Sequence, residues 1–442
     1  MQVGSFWGRH CMENTVTVSA TAVCIPISSA VLASGDQLEL IQAKGKRGTR
    51  LLRWSGGHAS IIPEFKADQQ RLTPARIDDF PLPISLATGI SDYKSPTLLF
   101  TSIAEVFQSA GGLDAENAEK ATFFAFATHF AECWDLAPRV IVTGVDIWET
   151  MQFLRLLACF CRHAVLTAMW EMGEHASLPS GCSPTLIISD PTNFRSRLQF
   201  LEATQHCGFD VPRAKGIGSR LFSAVILDCD NEQDKIIPST FCRINATSHI
   251  RLPLPDVKKL QKMAERFQAQ LLFYRLKNLG RVKSFTFDPQ TLSGGTRALG
   301  SLFGSCFPDS EELQGRVVNL LRPQDEERRL DLARCVSAVV VEALLIPCHK
   351  KQERVHVGEI TDLANGILDL RGDGYRLKAR KVGNILRSFS LGIRRDSLGY
   401  GFLLSTECKS RIHQLAISLD VPFLRGKIEK CEFCMQHSPN SS

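Results

Sequence analysis

Apolar positions recur along this chain with more than one period, and the changes of period divide it. Through residues 1–95 the apolar runs are short. Thr15–Ala33 is small and β-branched, Gly45–Arg53 is basic and glycine-containing, and Ile77–Ser91 is proline-rich. Short strands and loops are expected there, and no function follows. From residue 98 the runs lengthen. Leu98–Gln108 has the spacing of an amphipathic helix, and Glu116–Trp134 that of a longer apolar helix carrying Phe123, Phe124, Phe126 and Phe130. Between about 138 and 254 short β-rich runs (Val140–Thr143, Thr185–Ser189, Ala224–Leu227) alternate with helical stretches (Thr150–His163, Asn193–His206). That alternation predicts a parallel, doubly wound α/β sheet.

Residues 255–345 read as helical. In Asp256–Arg281, Leu260, Met263, Phe267, Leu271 and Tyr274 recur at spacings of three and four and leave Lys and Arg outside. After a polar hinge at His349–Glu353 the order becomes helix, turn, helix, hairpin, helix. Helix Val357–Asp369 presents Ile360, Leu363, Ala364 and Ile367, and Gly372 and Gly374 mark a turn. Helix Ala379–Phe389 presents Val382, Ile385, Leu386 and Phe389. Ile393–Leu404 alternates around Gly399-Tyr-Gly401 as a hairpin would, and Thr406 is the expected N-cap of a closing helix Glu407–Leu419. This is the order of a winged helix. The expected parts are thus 1–95, a sheet core over 98–254, a helical subdomain over 255–345, a winged-helix unit over 353–425, and a cysteine-containing tail over 426–442.

Composition adds little until charge is placed. The 442 residues are 44% hydrophobic and 22% charged, ordinary for a soluble globular protein. No apolar run has the length of a membrane span, and the N-terminus lacks the pattern of a secretory signal, so a cytoplasmic protein without a membrane partner is expected. There the 15 cysteines stay reduced, and most behave as small core residues. The net charge of +6 is uneven: residues 353–430 hold fourteen Lys/Arg against nine Asp/Glu, and residues 256–283 hold eight against two. Such clusters suit a polyanion, because each cation near a phosphate releases condensed counterions.

Several segments together resemble a family of bacterial P-loop ATPases of the DNA-primase or helicase-like kind, from phages, plasmids and integrated elements. They are Pro138-Arg-Val-Ile-Val-Thr143 with Leu154-Arg-Leu-Leu157, Pro184-Thr-Leu-Ile-Ile-Ser-Asp190, Phe267–Asn278, and Arg380-Lys-Val-Gly-Asn-Ile-Leu-Arg387. The resemblance covers residues 98–420. It implies a P-loop-like core of the AAA+ or RecA type with a helical lid, followed by a C-terminal winged helix.

The nucleotide site departs from that family. A phosphate-binding loop needs G-x-x-x-x-G-K-[ST], glycines to let backbone N–H groups wrap the phosphates, Lys for their charge and Ser/Thr for Mg²⁺. Here Thr143-Gly144-Val-Asp-Ile-Trp-Glu-Thr150-Met-Gln152 loses the glycine pattern, and has Met151 in place of Lys and Gln152 in place of Ser/Thr. The second motif calls for an apolar run ending in two carboxylates, and this one ends Ser189-Asp190. A core that does not hydrolyse ATP is expected, with no catalytic residue and no cofactor.

The C-terminal unit shows no such loss. Lys378, Arg380, Lys381, Asn384 and Arg387 fall on the outer side of the second helix. Asn384 and Arg387 are placed to read bases, and Arg394, Arg395 and Lys409 to hold backbone beside the wing. The partner expected is nucleic acid, duplex DNA first, with a protein partner or a second copy on the ATPase-like core. The competing readings are an active helicase-like motor with a divergent loop, and a protein-docking module that uses its winged helix. Cys431, Cys434 and His437 offer three zinc ligands where a closed site wants four, so a reduced tail is the simpler reading. Cys159, Cys161, Cys229, Cys242, His129 and His163 read as core, and Lys215–Arg220 as a loop.

Overall fold

The computed structural model describes residues 23–43, 48–67, 70–80, 83–167, 182–189, 194–203, 205, 210–213, 216–219, 223–228, 238–247, 256–397, 399–419 and 421. The described residues of the N-terminal part form seven strands, β1 (Val23–Ile27), β2 (Ser29–Val31), β3 (Gln37–Gln42), β4 (Thr49–Ser55), β5 (His58–Ile62), β6 (Phe65–Ala67) and β7 (Gln70–Pro74), followed by a 3-10 turn at Ile77–Asp79. Strands β2 to β5 form an antiparallel meander, and β1, β7 and β6 form a second small sheet. Both faces of the meander are covered in part: Leu38, Leu40 and Leu51 pack with Ile27 and Leu72, and Ile41 and Leu52 with Leu272 and Leu276.

The middle of the chain runs α1 (Pro96–Ser109), α2 (Ala115–Thr128), β8 (Arg139–Thr143), α3 (Ile147–Ala158), β9 (Ala164–Thr167), β10 (Thr185–Ile188), α4 (Phe194–Ala203), β11 (Asp210–Arg213), β12 (Gly216–Ser219), β13 (Ser223–Asp228) and β14 (Cys242–Asn245). Five of these strands make one all-parallel sheet in the order β14-β8-β13-β10-β9. The first strand therefore lies between the fourth and the fifth, an architecture consistent with a P-loop-like core. The expected parallel α/β sheet is present, with two edge strands that the apolar pattern does not announce. Ala164–Thr167 follows directly on the apolar stretch Thr150–His163, and Cys242–Asn245 is interrupted by Arg243, so neither stands out as a separate apolar run.

Each sheet strand alternates between two cores. Val140, Val142, Ile187, Val225 and Leu227 face α1, α2 and α3, whereas Ile141, Leu186, Ile188, Ala224 and Ile226 face α4 through Leu198 and Leu201. The larger core also takes in α5 (Val257–Ser284), α6 (Gly294–Ser305) and α7 (Glu311–Arg334). The helices expected as a lid are thus continuous with the core: Phe126 and Phe307 lie 4.8 Å apart between ring centroids, Phe126 and Tyr274 5.3 Å, and the Tyr274 hydroxyl donates to the Cys306 carbonyl at 2.6 Å.

A buried ionic cluster ties the N-terminal meander to this core. Glu39 on β3 accepts from Arg162 Nη2 at 3.0 Å and from Arg275 Nε at 2.7 Å, and Glu132 pairs with both arginines. Arg275 also donates to the His129 carbonyl. Burial alone raises Glu39's carboxyl pKa, but the two guanidinium charges outweigh it and hold the group below its ordinary value. His129 and His163 are buried as expected. Burial pushes His129 down to about 3 and His163 well below the usual imidazole range.

The last elements are α8 (Val336–His349), β15 (Arg354–His356), α9 (Val357–Arg371), α10 (Ala379–Ser388), β16 (Arg394–Asp396), β17 (Gly399–Leu403) and α11 (Thr406–Ser418). They share one core in which α8 supplies Val339, Val340, Val341, Leu344 and Leu345. The sequence pattern groups α8 with the helices of 255–345; its apolar side packs instead with α9, α10 and α11. Two local expectations also shift by a few residues. The hairpin pairs Asp396 with Gly399, so Gly399 and Gly401 lie inside β17, and the cap of α11 is Ser405, whose hydroxyl accepts from the Cys408 N–H at 3.2 Å. Among the described residues no helix is long and apolar enough to cross a membrane.

Candidate nucleic-acid interface

The loop from β8 to α3 is three residues long, Gly144-Val145-Asp146. Gly144 is required by its neighbour: a Cβ there would lie 2.1 Å from the Thr150 hydroxyl oxygen. That hydroxyl donates to the Asp146 carbonyl at 2.8 Å, which draws the loop tight over the first turn of α3. Asp146 is the N-cap, and its carboxylate accepts from the Trp148 N–H at 2.7 Å and the Glu149 N–H at 3.4 Å. The N–H groups that a phosphate would use are therefore met by the chain's own anion. Met151 packs against the large core and Gln152 is half-buried. Ser189 donates from its hydroxyl to the Thr167 carbonyl at 3.2 Å, and Asp190 lies outside the described residues. Strand β13 lies between β8 and β10, which sets Ser189 about two strand spacings, roughly 10 Å, from the end of β8.

Helix α10 sorts its residues cleanly. Val382, Gly383 and Leu386 are buried against the C-terminal core, and Lys378, Arg380, Lys381, Asn384 and Arg387 are exposed. The turn before it is held by Asn365 of α9, which accepts from the Leu377 N–H at 2.7 Å and donates to the Leu377 carbonyl at 3.2 Å. Gly372 ends α9 in the left-handed region, φ 79°, which the expected Gly turn needs. Sequence reasoning misses Asn365, because an Asn on a helix has no periodicity to mark it.

The two side chains expected to read bases meet each other: Arg387 Nη1 donates to Asn384 Oδ1 at 2.8 Å. Beyond them Tyr400 of β17 is 49% exposed, with the guanidinium of Arg387 5.9 Å and that of Arg395 6.0 Å from its ring centroid. Sequence reasoning misses Tyr400 too; an aromatic between two basic segments is the signal that marks it. Arg394 is not part of this group. It precedes Arg395 on β16 and so points to the opposite side of the hairpin. Lys409 sits half-buried on α11, and Cys431, Cys434 and His437 lie outside the described residues.

No protein-family model matches this chain, and no curated protein is similar to it. Among solved structures, the apo A form of the NrS-1 C-terminal region is similar over 83% of this chain and 96% of its own, at 10% identity and a TM-score of 0.34. A second structure of that region, residues 305–718, covers the same shares at 9% identity and a TM-score of 0.33. A structure of Drosophila ORC bound to DNA covers 77% of this chain and 97% of its own, at 13% identity and a TM-score of 0.17.

Proposed function

We propose that this protein is a nucleic-acid-binding accessory factor whose C-terminal unit is a winged helix and whose P-loop-like core no longer hydrolyses ATP. The observation that carries it is the exposed face of α10. Lys378, Arg380, Lys381 and Arg387 project from a helix whose other side is buried, next to a hairpin bearing Arg395 and an exposed Tyr400. A convex basic helix of this kind suits the major groove of duplex DNA. The β8–α3 loop supports the second half of the reading, because Asp146 supplies the negative charge at the α3 N-terminus that a nucleotide would otherwise bring.

Binding to a labelled duplex across a salt series tests the first half. With about four phosphate contacts the slope of log K against log salt is near −3.6, from roughly −0.9 per contact. Arg380→Ala with Lys381→Ala flattens it by about 1.8 and weakens all sequences alike. An unchanged slope in that variant would favour the protein-docking reading. Steady-state phosphate release with Mg²⁺ and ATP tests the second half: no release above the blank is expected, and turnover by the pure protein refutes it.

A further inference from the structure

The C-terminal hairpin has a second face, and antiparallel register identifies it. Arg354 stands opposite Leu403, and Gly401 stands opposite both His356 and Arg394. Directly paired residues project to the same side of a sheet. Arg354, Leu403 and Arg394 therefore share one side, and Val355, Phe402, Tyr400 and Arg395 the other. Val355 and Phe402 are buried, so theirs is the side toward the core; Arg354 and Arg394 are exposed on the outer one.

The chain then folds back into α11, and between that helix and the outer side of the sheet lies an open groove of about 1080 Å³. Arg354, Arg394 and Arg411 stand on its walls, with Glu407 the one acid and Ser410 and Gln414 as neutral hydrogen-bonding groups. The three guanidinium groups against one carboxylate leave a net charge of +2 along the lining. Gly401 keeps β17 against β15, since a Cβ there would meet the His356 Nδ1 and the Val355 carbonyl oxygen, each at 2.8 Å.

We propose that this groove is a second polyanion site that takes the backbone of one nucleic-acid strand. The inference rests on the reading that the C-terminal unit binds nucleic acid. Shape separates the two sites: α10 is convex and fits into a duplex groove, whereas this surface is concave and fits around a single strand. Its volume is at the upper end of small-ligand pockets, about 300–1,000 Å³, and its open form suits a polymer that runs through it. Guanidinium forks match phosphate oxygens, and the flanking hydroxyl and amide groups can donate to the same oxygens. Because Arg394 and Arg395 are consecutive, a strand leaving a duplex held by α10 reaches the groove by crossing the hairpin alone.

The test uses the full chain with a labelled oligo(dT) of about 15 nucleotides and, separately, a blunt duplex. In Arg354→Ala with Arg411→Ala, oligo(dT) affinity falls roughly tenfold or more at about 0.1 M salt, and its salt slope flattens by about 1.4, from about 0.7 per lost contact on a single strand. Duplex affinity stays within about twofold. Arg380→Ala with Lys381→Ala does the reverse. If the double groove variant unfolds, Arg411→Glu, at an exposed position of α11, is expected to weaken oligo(dT) binding in the same way. Unchanged oligo(dT) binding in the groove variants, with duplex binding lost in the α10 variant, overturns the groove and leaves the α10 interface standing. A wild-type protein that binds neither probe overturns both.

Discussion

Glu39 shows how far one residue's role depends on partners distant in sequence. Its carboxylate is held by Arg162 and Arg275, 123 and 236 positions away, and all three side chains are almost wholly buried. Removing it leaves two buried guanidinium groups to share Glu132, so Glu39→Ala is expected to lose about 3–5 kcal/mol of stability, read by urea unfolding. The same region sets a pH dependence. His129, pushed down to about 3 by burial, stays neutral in the folded chain while the unfolded chain takes up a proton below about 6.5. Stability then falls as pH drops from about 6.5, at about 1.4 kcal/mol per pH unit for this imidazole, and His163 adds to it in the same direction. Glu39 and Glu132, both held below their ordinary values, add a further loss only when pH falls below about 4.5. A urea midpoint that does not move between about pH 7 and pH 5 contradicts this account.

At the scale of elements, α3 and α10 are the two helices on which the functional reading turns, and each is positioned by a single polar side chain. Asp146→Ala removes the cap of α3 and is expected to cost about 0.5–2 kcal/mol, since the Trp148 and Glu149 N–H groups lose their acceptor. Measuring nucleotide binding in that variant adds a functional readout: no gain is expected, since Met151 and Gln152 still stand in place of the Lys and the Mg²⁺-binding hydroxyl. For α10 the corresponding residue is Asn365. Asn365→Ala frees both backbone groups of Leu377 and loosens the α9–α10 turn. The expected result is weaker duplex binding with the salt slope kept, because the basic side chains remain and only their placement suffers. Unchanged duplex binding in Asn365→Ala would mean that the turn does not position α10.

For the whole molecule, the larger division falls near Cys335, where the core of α8 to α11 meets the core that runs from α1 to α7. A fragment 335–421 retains α8 and is expected to unfold cooperatively by itself. A fragment 353–421 lacks Val339, Val340, Val341 and Leu344 and exposes the sides of α9 and α11 that pack on them, so it is expected to be unfolded or aggregated. Circular dichroism melts of the two fragments decide this; equal melting of both would restore the hinge at His349–Glu353 as the boundary.

What the sequence determined alone follows from local rules. Strands β8, β10 and β13 are continuous runs of Val, Ile and Leu, and that pattern by itself marks them as buried parallel strands. The two faces of α10 follow from the 3.6-residue period, and the loss of the phosphate-loop Lys is visible in Thr143–Gln152 as a string. What tertiary structure decided are the matters with no local signature. Edge strands β9 and β14 become strands because a sheet already stands beside them. Helix α8 is apolar on nearly every side, so its own pattern cannot say which core it joins, and packing assigns it to the C-terminal one. Arg394 and Arg395 are alike in sequence, and the two-residue period of β16, once its register is set, sends one to the groove and the other to Tyr400. The charge cluster around Glu39 is assembled from four separate segments, and long-range contacts of that kind are written in no single stretch of the chain.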